Sequence, residues 1–129
     1  MEKVSMSHED YLETLVLLGG TAQNPIRSVD VAEKMGVSKA SVNKAITVLK
    51  EKQLVDQPYY GDITLTKEGY DYAISILNRH RLLCTFFTDY LGIKPEIADE
   101  EACRMEHAIS DDSYKKWAAF IKKLGSSSL

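Results

Sequence analysis

Residues 28–52 carry the pattern that most narrows what this chain can fold into. Two apolar series with helical spacing stand on either side of Gly36: Val31, Ala32 and Met35 before it, and Val42, Ala45, Ile46 and Leu49 after it. Ser28 and Ser38 precede the two series, and serine is a favoured residue at the N-terminus of a helix. We therefore predict two short helices joined by a tight glycine-containing turn, which is typical of a helix-turn-helix.

The residues that follow change to a pattern of strands. We predict strands at 55–59 and 63–66 with a turn at 60–62, and Pro58 suits a strand at the edge of a sheet. A first helix is predicted over about residues 7–18, ending at Gly19-Gly20. The first half of the chain thus has the order helix, helix, helix, hairpin, which is that of a winged helix.

The second half is predicted to be helical throughout. Thr66 precedes a long helix over residues 67–91, Pro95 suits the first turn of a helix over 95–109, and a last helix covers 112–124. We expect a mainly α protein with a winged helix-turn-helix domain at 1–70, a second, helical domain at 71–125 and a frayed tail at 126–129. The domain boundary then lies inside the long helix.

Residues with metal-ligand chemistry occur at three places in these helices. Cys103, Glu106 and His107 are spaced i, i+3 and i+4, which puts a thiol, a carboxylate and an imidazole on one helical face. His80 is on the inner side of the long helix, while Asp10 and Glu13 are three residues apart on the first helix. Each has a simpler interpretation: a buried free cysteine beside a solvated pair, a core histidine, and a solvated acidic face. Together they favour a divalent metal site.

Three segments carry a resemblance to a known family. The segment 99–112 (DEEACRMEHAISDD), together with 79–82 (RHRL) and 7–13 (SHEDYLE), resembles the ligand segments of the diphtheria-toxin-repressor family of metal-dependent transcriptional regulators. The likeness extends from about residue 7 to 124. It implies that the winged helix at 1–70 is a DNA-binding domain and that residues 71–125 form a helical metal-binding and dimerisation domain. It also implies a short form without the SH3-like domain of longer members, a repressor function and a homodimer on a palindromic operator in double-stranded DNA.

The resemblance implies a mixed set of metal ligands. Cys103, Glu106 and His107 match iron-type ligands, whereas Asp10, Glu13 and His80 match manganese-type ones. Cys84 and Asp99 stand at positions where iron-type members hold a second ion. The predicted corepressor is Fe²⁺ or Mn²⁺, and Zn²⁺, Co²⁺ or Ni²⁺ could occupy the site in vitro because affinity does not follow cellular availability.

The charge distribution agrees with a DNA-binding half and a metal-binding half. The formal net charge is −3, yet basic residues outnumber acidic ones six to three over positions 27–52, and acidic residues outnumber basic ones seven to one over 96–112. The predicted DNA contacts lie at the start of the second helix of the motif: Ser38, Lys39, Ser41, Asn43 and Lys44. The resemblance adds Arg27 and Ser28 as phosphate anchors. Tyr59 and Tyr60 lie near the tip of the predicted wing, whose sequence contains no lysine or arginine there.

We expect a cytoplasmic protein with no membrane contact. No apolar run approaches the ~20 residues that span a bilayer, the start lacks a signal-like segment, and Cys84 and Cys103 are expected to be reduced thiols. Dimerisation is expected around Phe86, Phe87 and Tyr90, although these residues could instead fill the monomer core.

Two other functions remain open from the sequence. A winged-helix regulator controlled by an organic ligand or by oxidation of Cys84 or Cys103 would bind DNA without responding to a chelator. A small metalloenzyme using Cys103, Glu106 and His107 is less favoured, because no nucleophile–base pair or oxyanion loop accompanies those residues. We therefore expect that the protein is not an enzyme.

Overall fold

The computed structural model describes residues 4–59 and 61–127, which form six α-helices and three strands in that part of the chain. The mainly helical architecture confirms the predicted fold class. The elements in order are α1 (Met6–Leu17), β1 (Ile26–Arg27), α2 (Ser28–Met35), α3 (Lys39–Glu51), β2 (Val55–Tyr59), β3 (Asp62–Leu65), α4 (Lys67–Thr85), a π-helical turn (Phe86–Tyr90), α5 (Pro95–Met105) and α6 (Asp111–Ser127).

The chain divides into two units, and the division falls within α4. Unit 1 runs to Ser75 and unit 2 begins at Ile76. The sequence predicted a boundary at residues 70–71, inside the same helix. The helix continues through the division, so the two units share one element of backbone.

Unit 1 is a helix-turn-helix followed by a three-stranded sheet. Gly36 ends α2 with a left-handed backbone (φ 68°), which a residue without a Cβ adopts at little cost. The strands are antiparallel in the order β1-β3-β2, with Ile26 opposite Ile63 and Val55 opposite Leu65. The predicted hairpin is confirmed, and Pro58 lies on β2, an edge strand. The core of this unit includes Leu12, Leu15, Val31, Ile46, Leu49, Leu54, Ile63 and Leu65.

The start of α2 differs from the prediction. Ser28 is the first residue of the helix, and Arg27 occupies the capping position without a side-chain cap hydrogen bond. The reason is that β1, a strand not predicted from the sequence, pairs with β3 immediately before the helix. The other two predicted caps are confirmed: Ser38 Oγ accepts from Ser41 N–H at 3.1 Å, and Thr66 Oγ1 accepts from Gly69 N–H at 3.0 Å.

Unit 2 has its own apolar core, formed by Leu83, Phe87, Ala98 and Ala102. Phe86 packs on this core, and its ring centroid is 5.6 Å from that of Trp117 on α6. Phe87 is thus a core residue, whereas Tyr90 is 38% exposed. The buried Arg79 guanidinium donates to the Asp111 carboxylate at the start of α6.

Three predicted helix bounds in unit 2 are corrected. The long helix is α-helical only to Thr85 and then widens into the π-helical turn, in which Thr88 Oγ1 donates to the Cys84 carbonyl. The fifth helix stops at Met105 rather than at 109, and the last one extends to Ser127. The predicted tail at 126–129 is therefore helical at 126 and 127, and residues 128 and 129 lie outside the described part.

Candidate DNA-binding face and metal centre

The second helix of the helix-turn-helix, α3, has one buried and one exposed side. Val42, Ala45, Ile46 and Leu49 are buried, which fixes the rotation of the helix against unit 1. The opposite side is open to solvent, and it carries all five residues predicted from α3 to contact DNA: Ser38, Lys39, Ser41, Asn43 and Lys44. Two lysines and an amide on an exposed helix can reach phosphates and base edges.

A groove beside α3 extends this face toward the wing. It is lined by Lys39, Asn43 and Thr47 of α3, by Arg27, Ser28 and Val29 around the start of α2, and by Gln57, Gly61 and Asp62 of the wing. Sequence reasoning missed Thr47, Gln57 and Asp62. Thr47 follows Asn43 by one helical turn, so its position beside Asn43 could have been predicted from the spacing. The positions of Gln57 and Asp62 depend on how the sheet packs beside the helix.

Ser28 occupies a different environment from the other predicted DNA contacts. It is 3% exposed, and both its backbone N–H (2.8 Å) and its hydroxyl (3.2 Å) donate to the carbonyl of Gly61 in the wing turn. Its side chain therefore ties the start of α2 to the wing.

The wing brings no positive charge to this face. Neither lysine nor arginine occurs in β2, in β3 or at Gly61, and the charged side chains of these strands are Asp56 and Asp62. Tyr60 and the side chain of Tyr59 lie outside the described residues.

Within unit 2, α4 and α5 bring together three potential ligands, which we call the His80 cluster: His80, Cys84 and Asp99. One donor atom from each lies within 4.8 Å of the others. His80 Nε2 is 2.8 Å from Asp99 Oδ1 and 3.4 Å from Cys84 Sγ. An imidazole, a thiol and a carboxylate are ligands that Fe²⁺ and Zn²⁺ share, so the chemistry of this donor set fits a divalent metal.

Glu106 carries a carboxylate with no exposed surface (0%). Its Oε2 is 2.8 Å from His80 Nδ1, and its Oε1 is 3.4 Å from His107 Nε2. A carboxylate is costly to bury unless a cation or strong donors compensate its charge. A fully buried acid between two imidazoles is therefore a candidate metal ligand.

Cys103 does not share the environment of Glu106 and His107. The backbone tightens at the end of α5, where Ala108 N–H donates to the carbonyl of Met105 at 3.0 Å. Glu106 and His107 are buried in this turn, whereas Cys103 remains on the helix and is exposed. Glu106 N–H still donates to the carbonyl of Ala102 at 2.9 Å, and Glu106 keeps a right-handed helical backbone, so Cys103 and Glu106 remain one helical turn apart and differ in exposure.

The remaining predicted ligands, Asp10 and Glu13, lie on α1 of unit 1. Both are partly buried, and one carboxylate oxygen of Glu13, Oε2, is buried without a hydrogen-bond partner among the described residues. Their neighbour Glu9 is 1% exposed and accepts from the hydroxyl of Tyr72, which in turn accepts from Val4 N–H at 3.1 Å. This buried chain of hydrogen bonds fixes α1 within unit 1.

Comparison with known proteins assigns both halves of the chain. Residues 3–62 match the family model described as the N-terminal DNA binding domain of the iron dependent repressor, and residues 66–127 match that of its metal binding and dimerisation domain. The chain belongs to the iron-dependent repressor family. The resemblance predicted from the sequence is thereby confirmed, together with the general function of a metal-dependent transcriptional regulator.

Individual relatives support this assignment. An uncharacterised HTH-type transcriptional regulator of Methanocaldococcus jannaschii is 34% identical over 93% of this chain and 96% of its own length. The diphtheria toxin repressor of Corynebacterium glutamicum is 31% identical over 81% of this chain but only 45% of its length. A solved manganese-dependent transcriptional repressor in complex with manganese is 33% identical, with a TM-score of 0.76 over 89% of this chain and 52% of the other. This iron-dependent repressor chain thus spans about half the length of the latter two proteins.

Among the described residues, no helix combines the length and the apolar character that crossing a bilayer requires.

The thiol of Cys84 gives this repressor chain a pH-dependent signature. Burial raises the pKa of the thiol, and the nearby carboxylates of Asp99 and Glu106 raise it further. A raised pKa means less thiolate at neutral pH, and the thiolate is the form that reacts with alkylating reagents. We expect iodoacetamide to label Cys84 more slowly than the exposed Cys103 at pH 7.5. The half-maximal rate for Cys84 should lie above the pH of about 8.5 at which an ordinary thiol titrates. Mass spectrometry of the metal-free protein between pH 6 and 10 measures this, and equal profiles for the two cysteines would contradict it.

Proposed function

We propose that this protein is a repressor that binds a palindromic operator as a homodimer and is activated by Fe²⁺ or Mn²⁺. The observation that carries the proposal is that one chain holds both an exposed basic recognition helix and a buried carboxylate, Glu106, beside the His80 cluster. The recognition helix can bind DNA, and the buried carboxylate beside the His80 cluster can bind a divalent cation. Membership of the iron-dependent repressor family supports the pairing of the two functions.

The proposed metal ligands are the six residues predicted from the sequence. Four of them belong to unit 2, namely His80, Cys103, Glu106 and His107, and Asp10 and Glu13 belong to unit 1. His80 contacts Glu106, Cys84 and Asp99. These contacts support adding Cys84 and Asp99 to the proposed metal ligands. A bound ion supplies positive charge that neutralises these acids, and the residues of the chain hold it by their oxygen, nitrogen and sulfur atoms.

The distribution of ligands over both units suggests how metal could control DNA binding. In this proposal Asp10, Glu13 and Glu106 would supply three carboxylates to the ion, and its positive charge would neutralise them. Ligands contributed by both units would couple the order of α1 to metal binding. In a two-fold dimer this order would set the separation of the recognition helices, which must match half-sites about one turn of DNA apart.

The donor types favour iron over manganese without excluding manganese. A thiol at position 84 or 103 is a soft ligand that suits Fe²⁺ or Zn²⁺, whereas Mn²⁺ prefers the carboxylates of Asp10, Glu13, Asp99 and Glu106. The solved neighbour with manganese is a relative in which that metal is bound, so both ions are candidates here.

The proposed dimer uses the exposed apolar side chains of unit 2. Five large ones are between 38% and 56% exposed, namely Tyr90, Leu91, Ile97, Met105 and Phe120. Apolar surface of this kind is typical of regions that a partner covers. A second copy of the chain is the partner that the matched dimerisation domain favours.

The proposal predicts that DNA affinity depends on metal. DNA duplexes that bind the full-length protein with Mn²⁺ are first selected from a random pool. The affinity of the protein for one fluorescently labelled selected duplex is then measured by fluorescence anisotropy. With Fe²⁺ under anaerobic conditions, or with Mn²⁺, we expect binding about 5- to 150-fold tighter than with a chelator, the range usual for coupling between two sites. A scrambled duplex serves as the control. Equal affinity with metal and with chelator would contradict the proposed function.

A further inference from the structure

Arg27 and Asp30 form a paired contact at the edge of the DNA-binding face. Arg27 Nε donates to Asp30 Oδ2 at 3.1 Å, and Nη2 donates to Oδ1 at 3.2 Å, so both carboxylate oxygens hold the guanidinium. The two residues are separated by three positions at the start of α2. Such a two-point contact fixes the plane of the guanidinium as well as its distance.

The backbone beneath this pair is also fixed. Ser28 N–H and its hydroxyl both donate to the carbonyl of Gly61, which holds the start of α2 against the wing turn. The backbone of Arg27 is therefore held in place by the hydrogen bonds of its neighbour Ser28, and its guanidinium is held by Asp30. The Arg27 side chain is nevertheless 69% exposed, and it lines the same groove as Lys39 and Asn43.

The pairing leaves the guanidinium able to bind an anion. A guanidinium has five N–H donors, and the contact with Asp30 occupies one on Nε and one on Nη2. Three donors remain for a phosphate. The pairing with Asp30 also raises the pKa of Arg27, which keeps the group charged.

We propose that Asp30 is a positioning residue for DNA binding: it holds the Arg27 guanidinium, before DNA arrives, in the orientation in which that group meets a backbone phosphate. The inference rests on the proposed function. Its physical basis is that a long side chain that is already ordered loses less conformational freedom on binding. Asp30, although negatively charged, would then strengthen the binding of this protein to DNA, which is itself negatively charged.

The sign of the effect makes the inference testable, because simple electrostatics predicts the opposite. Removing a negative charge from a DNA-binding face should strengthen binding. We expect Asp30→Asn to weaken binding to the selected duplex about three- to tenfold with saturating Mn²⁺. Glu33→Gln is the matched control, since Glu33 is an exposed acid on the same helix without a contact to Arg27 among those described, and it should bind as tightly as wild type or slightly tighter.

A double-mutant cycle separates positioning from helix stability, because Asp30 is also the acid in the first turn of α2. In an Arg27→Ala background, Asp30→Asn should cause no further weakening if Asp30 acts through Arg27, whereas a helix effect would persist. Both Arg27→Ala and Asp30→Asn should lower the slope of log affinity against log salt by about one phosphate contact, roughly 0.9. Asp30→Glu should restore affinity to within about twofold of wild type.

The outcomes that overturn the inference are distinct from those that overturn the proposed function. If Asp30→Asn tightens binding as Glu33→Gln does, or if its effect multiplies with that of Arg27→Ala, Asp30 has no positioning role. If the wild-type protein with Mn²⁺ fails to bind any selected duplex, the proposed function itself is wrong.

Discussion

Replacing Glu106 with glutamine is expected to abolish the metal response while leaving the fold intact. The carboxylate of Glu106 is fully buried and within 3.4 Å of two imidazoles, so it is the strongest candidate ligand in unit 2. Glutamine has nearly the same shape but no charge. Loss of even an outer-shell partner typically costs 10- to 100-fold in metal affinity, and we expect loss of this ligand to cost at least about 100-fold.

The accompanying stability change distinguishes a ligand from a structural residue. Burial penalises the charge of a carboxylate, and glutamine keeps the shape without that charge, so Glu106→Gln should leave the melting temperature of the metal-free protein unchanged or raised. The stabilisation that Mn²⁺ gives to the wild type should disappear in the variant. Thermal unfolding with and without Mn²⁺ measures both effects.

Glu101→Gln is the control for this experiment. Glu101 lies on α5 and is exposed, and its replacement makes the same change in charge. It should keep both the thermal shift and the metal-dependent DNA affinity. Retention of a wild-type metal response by Glu106→Gln would remove Glu106 from the proposed ligand set.

Gly69→Ala is expected to destabilise unit 1 strongly, although alanine is normally the better helix residue. A Cβ at position 69 would lie 1.9 Å from the carbonyl oxygen of Leu54, far inside van der Waals contact. That carbonyl cannot move freely, because it accepts from Thr66 N–H at 3.1 Å, and the N–H of Leu54 donates to Leu49. The approach of α4 to the start of β2 therefore requires glycine.

The magnitude follows from two opposing effects. Alanine in place of a helical glycine contributes about 0.5–1 kcal/mol of stability. Forcing extra atoms into a packed contact costs about 1–3 kcal/mol and occasionally more, and here the obstacle is backbone. We expect a net loss of about 2 kcal/mol or more, measured by urea denaturation of the whole chain.

Gly125→Ala in α6 provides the matched control. A Cβ there would meet only the Tyr90 hydroxyl, at the ordinary distance of 3.6 Å. This variant should be unchanged or more stable. If both variants unfolded at the same urea concentration as wild type, the close approach at Gly69 would not constrain the fold.

Local patterns predicted most of unit 1. The apolar spacing around Gly36, the cap at Ser38 and the hairpin with Pro58 at its edge are short-range features, and the structure confirms them. Ser28 was predicted to cap a helix because serine is favoured there, and to anchor a phosphate because of the family resemblance. Its burial against Gly61, 33 residues away, depends on tertiary packing that no local pattern reveals.

The proximity of the predicted ligand residues could be predicted from the sequence only where they share a helix. His80 and Cys84 are one helical turn apart, so their proximity follows from spacing, but Asp99 reaches them from another helix. Within the motif around Cys103, the spacing did not reveal that Glu106 and His107 are buried while Cys103 is exposed. The end of α5 at Met105 has no strong sequence signal, such as glycine or proline, in the next few residues.

Under the proposed function, the acidic character of the wing would limit how much of an operator this protein recognises. The described wing strands offer DNA no cation, and the carboxylates of Asp56 and Asp62 would repel any phosphate that came near them. The footprint of each protomer should therefore be short, with its sequence information concentrated in the few base pairs beneath Lys39, Asn43 and Lys44. Base changes in the flanking DNA should hardly alter the affinity of the protein for the operator. The flanking sequence of such operators can therefore vary, while the base pairs beneath these side chains stay constant.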